Sequence, residues 1–277
     1  MEFKNKTVVI TGGGGVLCGA FAKFMGELGA RVAILDLKKE AADAVAQEIT
    51  AIGGTAKGYA ANVLKKDELE AVKAEINKDF GACDILINGA GGNNPKGTTT
   101  NEYFRPEDVL DESVVSFFDL DPDGIQFVFN LNFLGTLLPT QVFAKDMIDG
   151  KGGNIINISS MNAFSPLTKI PAYSGAKAAV SNFTQWLAVH FANANIRVNA
   201  IAPGFFVTAQ NKALLFDEDG NPTPRTGKIL AATPMNRFGR PEELLGTLKW
   251  LTDDDASSFV TGVVIPVDGG FSAYSGV

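Results

Sequence analysis

Short β-branched runs alternate with amphipathic stretches along the first half of the chain. Residues 7–10 (Thr-Val-Val-Ile) read as a strand, and 19–29 follow with Phe21, Phe24, Met25 and Leu28 on one helical stripe. The pattern then predicts a strand at 31–35, a helix at 39–52 stopped by Gly53 and Gly54, a strand at 56–60, a helix at 66–79 and a strand at 84–88. Three later runs, 154–158, 197–201 and 263–267, read as further strands. Alternation of this kind implies parallel strands joined by right-handed crossovers, with helices on both faces of the sheet. The expected architecture is a doubly wound α/β fold in a single domain over residues 1–277.

Two stretches break the rhythm. Residues 93–124 are polar and turn-rich, with Asn93-Asn94-Pro95 near the start and Asp121-Pro-Asp-Gly124 at the end; residues 205–238 carry Asp217-Glu-Asp-Gly-Asn-Pro-Thr-Pro224 in the middle. Excursions of this length in a compact domain are lids or binding loops more often than connectors. The β/α rhythm resumes after each, so both are expected to be substrate loops rather than linkers.

Composition narrows the partners. The chain has 277 residues, 45% hydrophobic and 20% charged, enough for one large core, and its net charge of −7 argues against nucleic acid or an anionic membrane surface as partner. An anionic small molecule then needs a local basic or amide-lined pocket. Met1 to Lys6 lead straight into the first strand without a secretory pattern, and no apolar run is expected to reach membrane-crossing length. Cys18 and Cys83 are too isolated for a disulfide framework, and His190 has no partner for a metal, so no metal site and a reducing, cytoplasmic setting are expected.

The candidate chemistry lies at the two ends of this frame. Thr11-Gly-Gly-Gly-Gly15 follows the first strand and opens a helix, with Gly19 beyond; Asp36 ends the second strand. Glycines there let a backbone approach a pyrophosphate at a helix N-terminus, and the carboxylate suits the ribose hydroxyls of NAD. Lys38 and Lys39 just downstream leave NADP open. Tyr173 and Lys177 stand four residues apart, hence on one helix face, and a cation near a phenol favours the phenolate, predicting a lowered pKa for Tyr173. Alone, such a pair also fits an ordinary surface helix.

Taken together, these segments resemble the short-chain dehydrogenase/reductase family over nearly the whole chain, implying a Rossmann-type fold. Asn132, Ser160, Tyr173 and Lys177 match its catalytic tetrad. The resemblance places Gly12, Gly14, Gly15, Val16 and Leu17 in the coenzyme loop, Asp36 at the ribose, and Asn62 with Val63 at the adenine. Asn88, Ala90 and Gly91 match the Asn-Ala-Gly segment; Pro203, Gly204, Phe206, Val207 and Thr208 match the nicotinamide-side loop, and Tyr173 and Lys177 also meet the coenzyme. Val16 and Cys18 depart from the family's glycines, which predicts a turn built through Gly14 and Gly15 and close packing taken over by Gly19.

Thr-Gly-Gly-Gly-Gly-Val-Leu and Leu-Ile-Asn-Gly-Ala-Gly-Gly-Asn-Asn-Pro resemble the D-mannonate oxidoreductase, or fructuronate reductase, branch. In this reading Tyr173 carries the hydroxyl proton, Ser160 holds the reacting oxygen, Lys177 tunes the phenol, and Asn132 links Lys177 to solvent through water. Asn93, Asn94 and Asn162, with Ser160 and Tyr173, are the expected contacts of a polyhydroxy sugar acid; Lys96, Arg105 and Arg237 are candidates for its carboxylate. Another polyol, a gluconate, a 3-oxoacyl thioester, or a non-catalytic nicotinamide-sensing role remain as alternatives. The resemblance also implies a homotetramer paired through helices at 132–147 and 173–193, with 271–277 as a second contact.

Overall fold

The strands β1 (Thr7–Thr11), β2 (Arg31–Asp36), β3 (Thr55–Ala60), β4 (Ile85–Asn88), β5 (Gly153–Ile158), β6 (Ile196–Pro203) and β7 (Val264–Val267) form one parallel sheet in the order β3-β2-β1-β4-β5-β6-β7. The computed structural model describes residues 3–148, 151–208 and 212–276. Every residue of β1 and of β4 is buried, because helices cover both faces. Side chains alternate between two cores. Val8 and Ile10 face α1 (Val16–Glu27) and α2 (Lys39–Ala51), packing with Phe21, Met25 and Ile49. Val9 faces the opposite layer with Leu69 and Ile76 of α3 (Lys66–Asp79), alongside Phe143 and Met147. Strand order reverses between β1 and β4, so the crevice of this doubly wound sheet opens beyond their carboxyl ends.

Boundaries moved where glycine misled the sequence reading. The helix expected from residue 19 begins at Val16, because Gly15 occupies the N-cap and the backbone is already helical after it. The excursion expected to run to 124 ends at Asp121, which caps α4 (Pro122–Phe129) by accepting from the Asp123 amide at 2.8 Å. The helix expected at 132–147 is the later part of a longer rod. A π-helical turn, Asn130–Leu134, joins α4 to α5 (Gly135–Phe143), and a 3₁₀ turn, Ala144–Met147, ends it. Contrary to the sequence expectation, this Pro122–Met147 rod is long and apolar enough to cross a membrane; half of its apolar window is buried against the rest of the fold, as in a core helix.

After β5 comes α6 (Pro171–His190), which covers β5 and β6. The second excursion contains α7 (Lys212–Leu215) and α8 (Pro224–Ala231), and α9 (Leu245–Thr252) returns to the sheet. Within the expected loop 205–238, residues 209–211 lie outside those described, as does Val277 of the C-terminal segment. Both cysteines are buried and free, and burial pushes the Cys18 thiol up to about 12, consistent with inert apolar roles. His190 stacks on Trp186 at 4.6 Å between ring centroids, and no metal-ligating group occurs among the described residues.

Candidate active site

The loop after β1 is shaped by close backbone approach. Gly12 adopts φ +64°, and a Cβ there would come within 2.9 Å of the Ala90 Cα. No residue from Gly13 to Val16 needs a positive φ, so Val16 enters as an ordinary first helical residue and the expected rebuilding of the turn through Gly14 and Gly15 is not required. Gly14 serves another purpose. Its amide donates to Asp36 Oδ2 at 3.1 Å, and a Cβ would lie 2.7 Å from Ala41 Cβ. Asp36 is thereby fixed at the end of β2, its Oδ1 accepting from the Lys38 amide. α1 has neither a side-chain cap nor an acid in its first turn, so its positive end is left for an anionic ligand beside Leu17. These features fit a dinucleotide.

Cys18 and Gly89 form a size exchange that sequence reading missed. A Cβ on Gly89 would overlap the Cys18 sulfur, so the sulfur occupies the space that a side chain at 89 would take. Gly89 standing between Asn88 and Ala90 was the available signal. Asn88 itself is buried, its Nδ2 donating to Thr140 Oγ1 and Asn157 Oδ1, both at 2.9 Å. Its contribution to the crevice is therefore to hold the backbone of 89–91 in place. Asn62 shapes a turn by accepting from the Leu64 amide at 3.0 Å, and Val63 packs beneath Gly135. Gly204 lies so near β7 that a Cβ would meet Asp268 Cα at 2.5 Å; Pro203 ends β6, and Phe206 packs into the core with Gly239 against its ring. Val207 and Thr208 follow, both half-buried.

The four tetrad residues converge beyond β4 and β5. Ser160 caps the 3₁₀ turn, Met161–Ala163, that follows β5, and its hydroxyl lies near enough to the Tyr173 phenol to favour the phenolate. Tyr173 and Lys177 share a face of α6, with Lys177 Nζ 5.7 Å from the phenol ring centroid. Lys177 is buried and donates to the Ile158 carbonyl at 2.7 Å. Asn132 is fully buried in the π turn, its Nδ2 donating to the carbonyls of Gly92 at 2.7 Å and Val128 at 2.8 Å. Gly91 sits between these groups: a Cβ there would lie 2.7 Å from Asn132 Oδ1 and 3.2 Å from Lys177 Nζ. π turns recur at functional sites because they redirect one side chain without ending the helix.

The electrostatics correct one expectation. Burial dominates at Tyr173 and raises its pKa above the ordinary phenol value, with the Ser160 hydroxyl pulling the other way. The expected lowering by Lys177 does not prevail over burial of the phenol, and burial brings the pKa of Lys177 itself down to about 8.

On the substrate side the structure separates the candidates. Asn162 is buried beside Ser160, its amide donating to Ser160 Oγ at 3.2 Å, and its Oδ1 has no partner. Asn93 donates to Thr98 Oγ1, while Asn94 caps a 3₁₀ turn, Pro95–Gly97, by accepting from the Lys96 amide. Both therefore shape the loop that passes the first turn of α6. Lys96 is paired with Asp121 at 3.1 Å, and Arg237 is held by Glu243 through two contacts of 2.8 and 2.7 Å; neither cation is free for a substrate carboxylate. Arg105 is exposed at the head of another 3₁₀ turn, Pro106–Leu110.

Comparison with known proteins places this geometry. The family profile described as short chain dehydrogenase matches residues 6–219. An uncharacterized oxidoreductase of Haemophilus influenzae is 64% identical over 276 residues, covering 100% of this chain and 96% of its own. The uncharacterized oxidoreductase UxuB of Bacillus subtilis is 55% identical over 273 residues, covering 99% and 97%. A crystal structure of a proposed D-mannonate oxidoreductase from Haemophilus influenzae, with bound NAD, superposes with a TM-score of 0.95 at 64% identity, covering 99% of this chain and 97% of that one.

Proposed function

Because this chain belongs to the short-chain dehydrogenase/reductase family and is an oxidoreductase, we propose that it uses NAD(H) to interconvert a sugar-acid alcohol and its ketone, D-mannonate and D-fructuronate first among them. The observation that carries the chemistry is the gathering of Tyr173, a buried Lys177 at 5.7 Å from its ring centroid, and Asn132 around Gly91, with the Ser160 hydroxyl beside the phenol. The substrate reading is supported by the 64% identical Haemophilus structure.

When bound, NAD(H) supplies the hydride acceptor or donor. The remaining work belongs to the chain. Gly12 and the uncapped start of α1 would hold the pyrophosphate, and Asp36, positioned by the Gly14 amide, the adenosine ribose, where its charge disfavours a 2′-phosphate. In the direction of ketone reduction, Tyr173 gives its proton to the nascent alkoxide at Oη. A phenol raised by burial stays protonated across the neutral range, which suits a general acid. Ser160 Oγ holds the same oxygen and stabilises its developing charge. Lys177, anchored on the Ile158 carbonyl, keeps a positive charge beneath the phenol, and Asn132 fixes Gly92 and the π turn around it.

NADH oxidation against a panel of keto-hexonates tests the reading. D-fructuronate is expected to give the highest kcat/KM; a higher value with a gluconate-derived or acyl ketone rejects the substrate while leaving the chemistry. Association as a homotetramer through the helical rod at 132–147 and the helix at 173–193 is part of this proposal. Its support is the ladder of rings on that face, Phe133 against Phe183 and Phe183 against Trp186, with Trp186 and Val189 exposed.

A further inference from the structure

We infer that Ser159 is a positioning residue for the reaction: its hydroxyl clamps the backbone of Lys177 to the sheet, and Ser181 orients that hydroxyl. The inference rests on the Tyr173–Lys177 chemistry proposed above and not on the choice of sugar acid.

Successive residues at the end of β5 address one lysine. The Ile158 carbonyl accepts from Lys177 Nζ at 2.7 Å. Ser159 Oγ lies 3.2 Å from the Lys177 carbonyl oxygen and 2.7 Å from Ser181 Oγ. Lys177 is thus held at its ammonium by one residue and at its backbone by the next. The direction of the protons follows from counting. A hydroxyl has one proton to give and a carbonyl has none, so Ser159 donates to Lys177 and Ser181 donates to Ser159. Lys177 and Ser181, four residues apart, present one face of α6 to this hydroxyl. Ser159 is itself fixed: it is buried, and its amide donates to the Ile201 carbonyl of β6 at 2.8 Å. The clamp therefore refers the lysine to the sheet rather than to its own helix. Little room is left for error, since a Cβ on Gly91 would already stand 3.2 Å from Lys177 Nζ. The titratable groups acting on the ammonium are Tyr173 of α6 and the Cys18 thiol of α1, which burial keeps neutral. A second tie between β5 and α6 supplies a control. Asn157 Nδ2 donates to Thr184 Oγ1 at 2.9 Å, and that hydroxyl ends on the Val180 carbonyl, not on Lys177.

The test is steady-state reduction of the keto-hexonate that the full chain turns over fastest, by the unaltered protein and by Ser159→Ala, Ser181→Ala, their double variant and Thr184→Ala. Ser159→Ala is expected to lower kcat about tenfold, the scale of one lost hydrogen bond, with KM and the NADH dissociation constant within about twofold. Ser181→Ala should lower kcat about threefold, and the double variant no further than Ser159→Ala, because Ser181 acts through that hydroxyl. Thr184→Ala should lower the melting temperature and leave kcat within about twofold. Titration of isotope-labelled lysine side chains by NMR, with Lys177 assigned by its loss in Lys177→Met, reads the clamp without a substrate. The Lys177 midpoint, at about 8 in the unaltered chain, should rise in Ser159→Ala as the freed helix lets water reach the ammonium, and should stay in place in Thr184→Ala. An unchanged kcat in Ser159→Ala overturns the clamp, as do additive losses in the double variant or an equal fall in Thr184→Ala. If Ser159→Ala does not fold, Ser181→Ala decides by the same two readouts. A chain that reduces no keto-hexonate rejects the substrate reading alone, and the lysine titration then decides the clamp.

Discussion

The coenzyme side and the substrate side of the crevice are built by different means. Beyond β1, β2 and β6 the backbone is fitted so closely that single methyl groups collide: a Cβ on Gly12 meets Ala90 Cα at 2.9 Å, one on Gly14 meets Ala41 Cβ at 2.7 Å, and one on Gly204 meets Asp268 Cα at 2.5 Å. These glycines rest on a sheet whose central strands are wholly buried. The two excursions above are held by short 3₁₀ turns capped by Asn94 and Ser116 and by exposed ion pairs, Lys96–Asp121, Lys228–Glu102 and Arg237–Glu243. Exposed pairs are weak and screened by salt. One side can hardly change without loss of its ligand. The other can exchange side chains at small cost to folding, which is where substrate choice can be set.

The largest effects are expected where the two sides meet. Tyr173→Phe should lower kcat by about a thousandfold or more, the range of a lost general acid, while NADH affinity measured by fluorescence stays within a few-fold. Retained turnover would remove Tyr173 as the proton carrier. Lys177→Met should also abolish turnover, yet raise the melting temperature at pH 7. The reason is that burial lowers Lys177 to about 8 from 10.5, so the folded state holds its ammonium unfavourably. The sign follows from linkage: between those values the unfolded chain binds more protons, so the unaltered protein gains stability as pH rises from 8 towards 10.5. The advantage of the variant should shrink over the same interval. A variant less stable at neutral pH would show that the Ile158 hydrogen bond outweighs desolvation.

The same contrast decides what could be read from the sequence. Every strand and the order of the βα units were legible, because burial on both faces leaves continuous apolar runs at 7–10, 31–35 and 84–88. Tyr173 and Lys177 were legible by their spacing on one helix face, and Asn132 and Ser160 through the family resemblance; the structure sets these four residues at the carboxyl ends of β4 and β5. The direction of the Tyr173 shift was not, since desolvation depends on the groups packed around the phenol and spacing reports only its neighbour on the helix. Nor was the π turn at Asn130–Leu134, which has no pattern of its own within an apolar helix. In the excursions, Lys96 and Arg237 carried the right charge for a substrate acid, but their partners lie 25 and 6 residues away in sequence, and only the folded chain shows them neutralised.

A middle-sized effect is expected at the ribose. Asp36→Ala should relax the preference for NADH over NADPH by about tenfold, the scale of one hydrogen bond to a charged group. Because Asp36 also receives the Gly14 amide at 3.1 Å, some NADH affinity should be lost as well. Measuring both dissociation constants separates the two roles. An unchanged ratio with weakened binding of both coenzymes would make Asp36 a brace for the glycine loop alone.

The smallest effect should come from Arg237→Gln, and its smallness is the point. Arg237 spends both terminal nitrogens on Glu243, which also accepts from the Arg240 amide at 2.8 Å. The guanidinium is therefore already satisfied, and KM for a keto-hexonate should change by less than about twofold, well below the loss from removing an unpaired cation. The cost should appear in acid instead. The Arg237 hydrogen bond is the main cause holding Glu243 down at about 2 against an ordinary 4.5. A depressed carboxyl contributes stability above the ordinary value and loses it as pH falls towards the folded one. The melting temperature of the unaltered chain should thus fall between about pH 5 and about pH 2.5 slightly more steeply than that of Arg237→Gln, and added salt should narrow the gap. A KM that rises tenfold with the acid melts unchanged would instead mean that Arg237 leaves Glu243 to meet the substrate, and that the second excursion rearranges on binding.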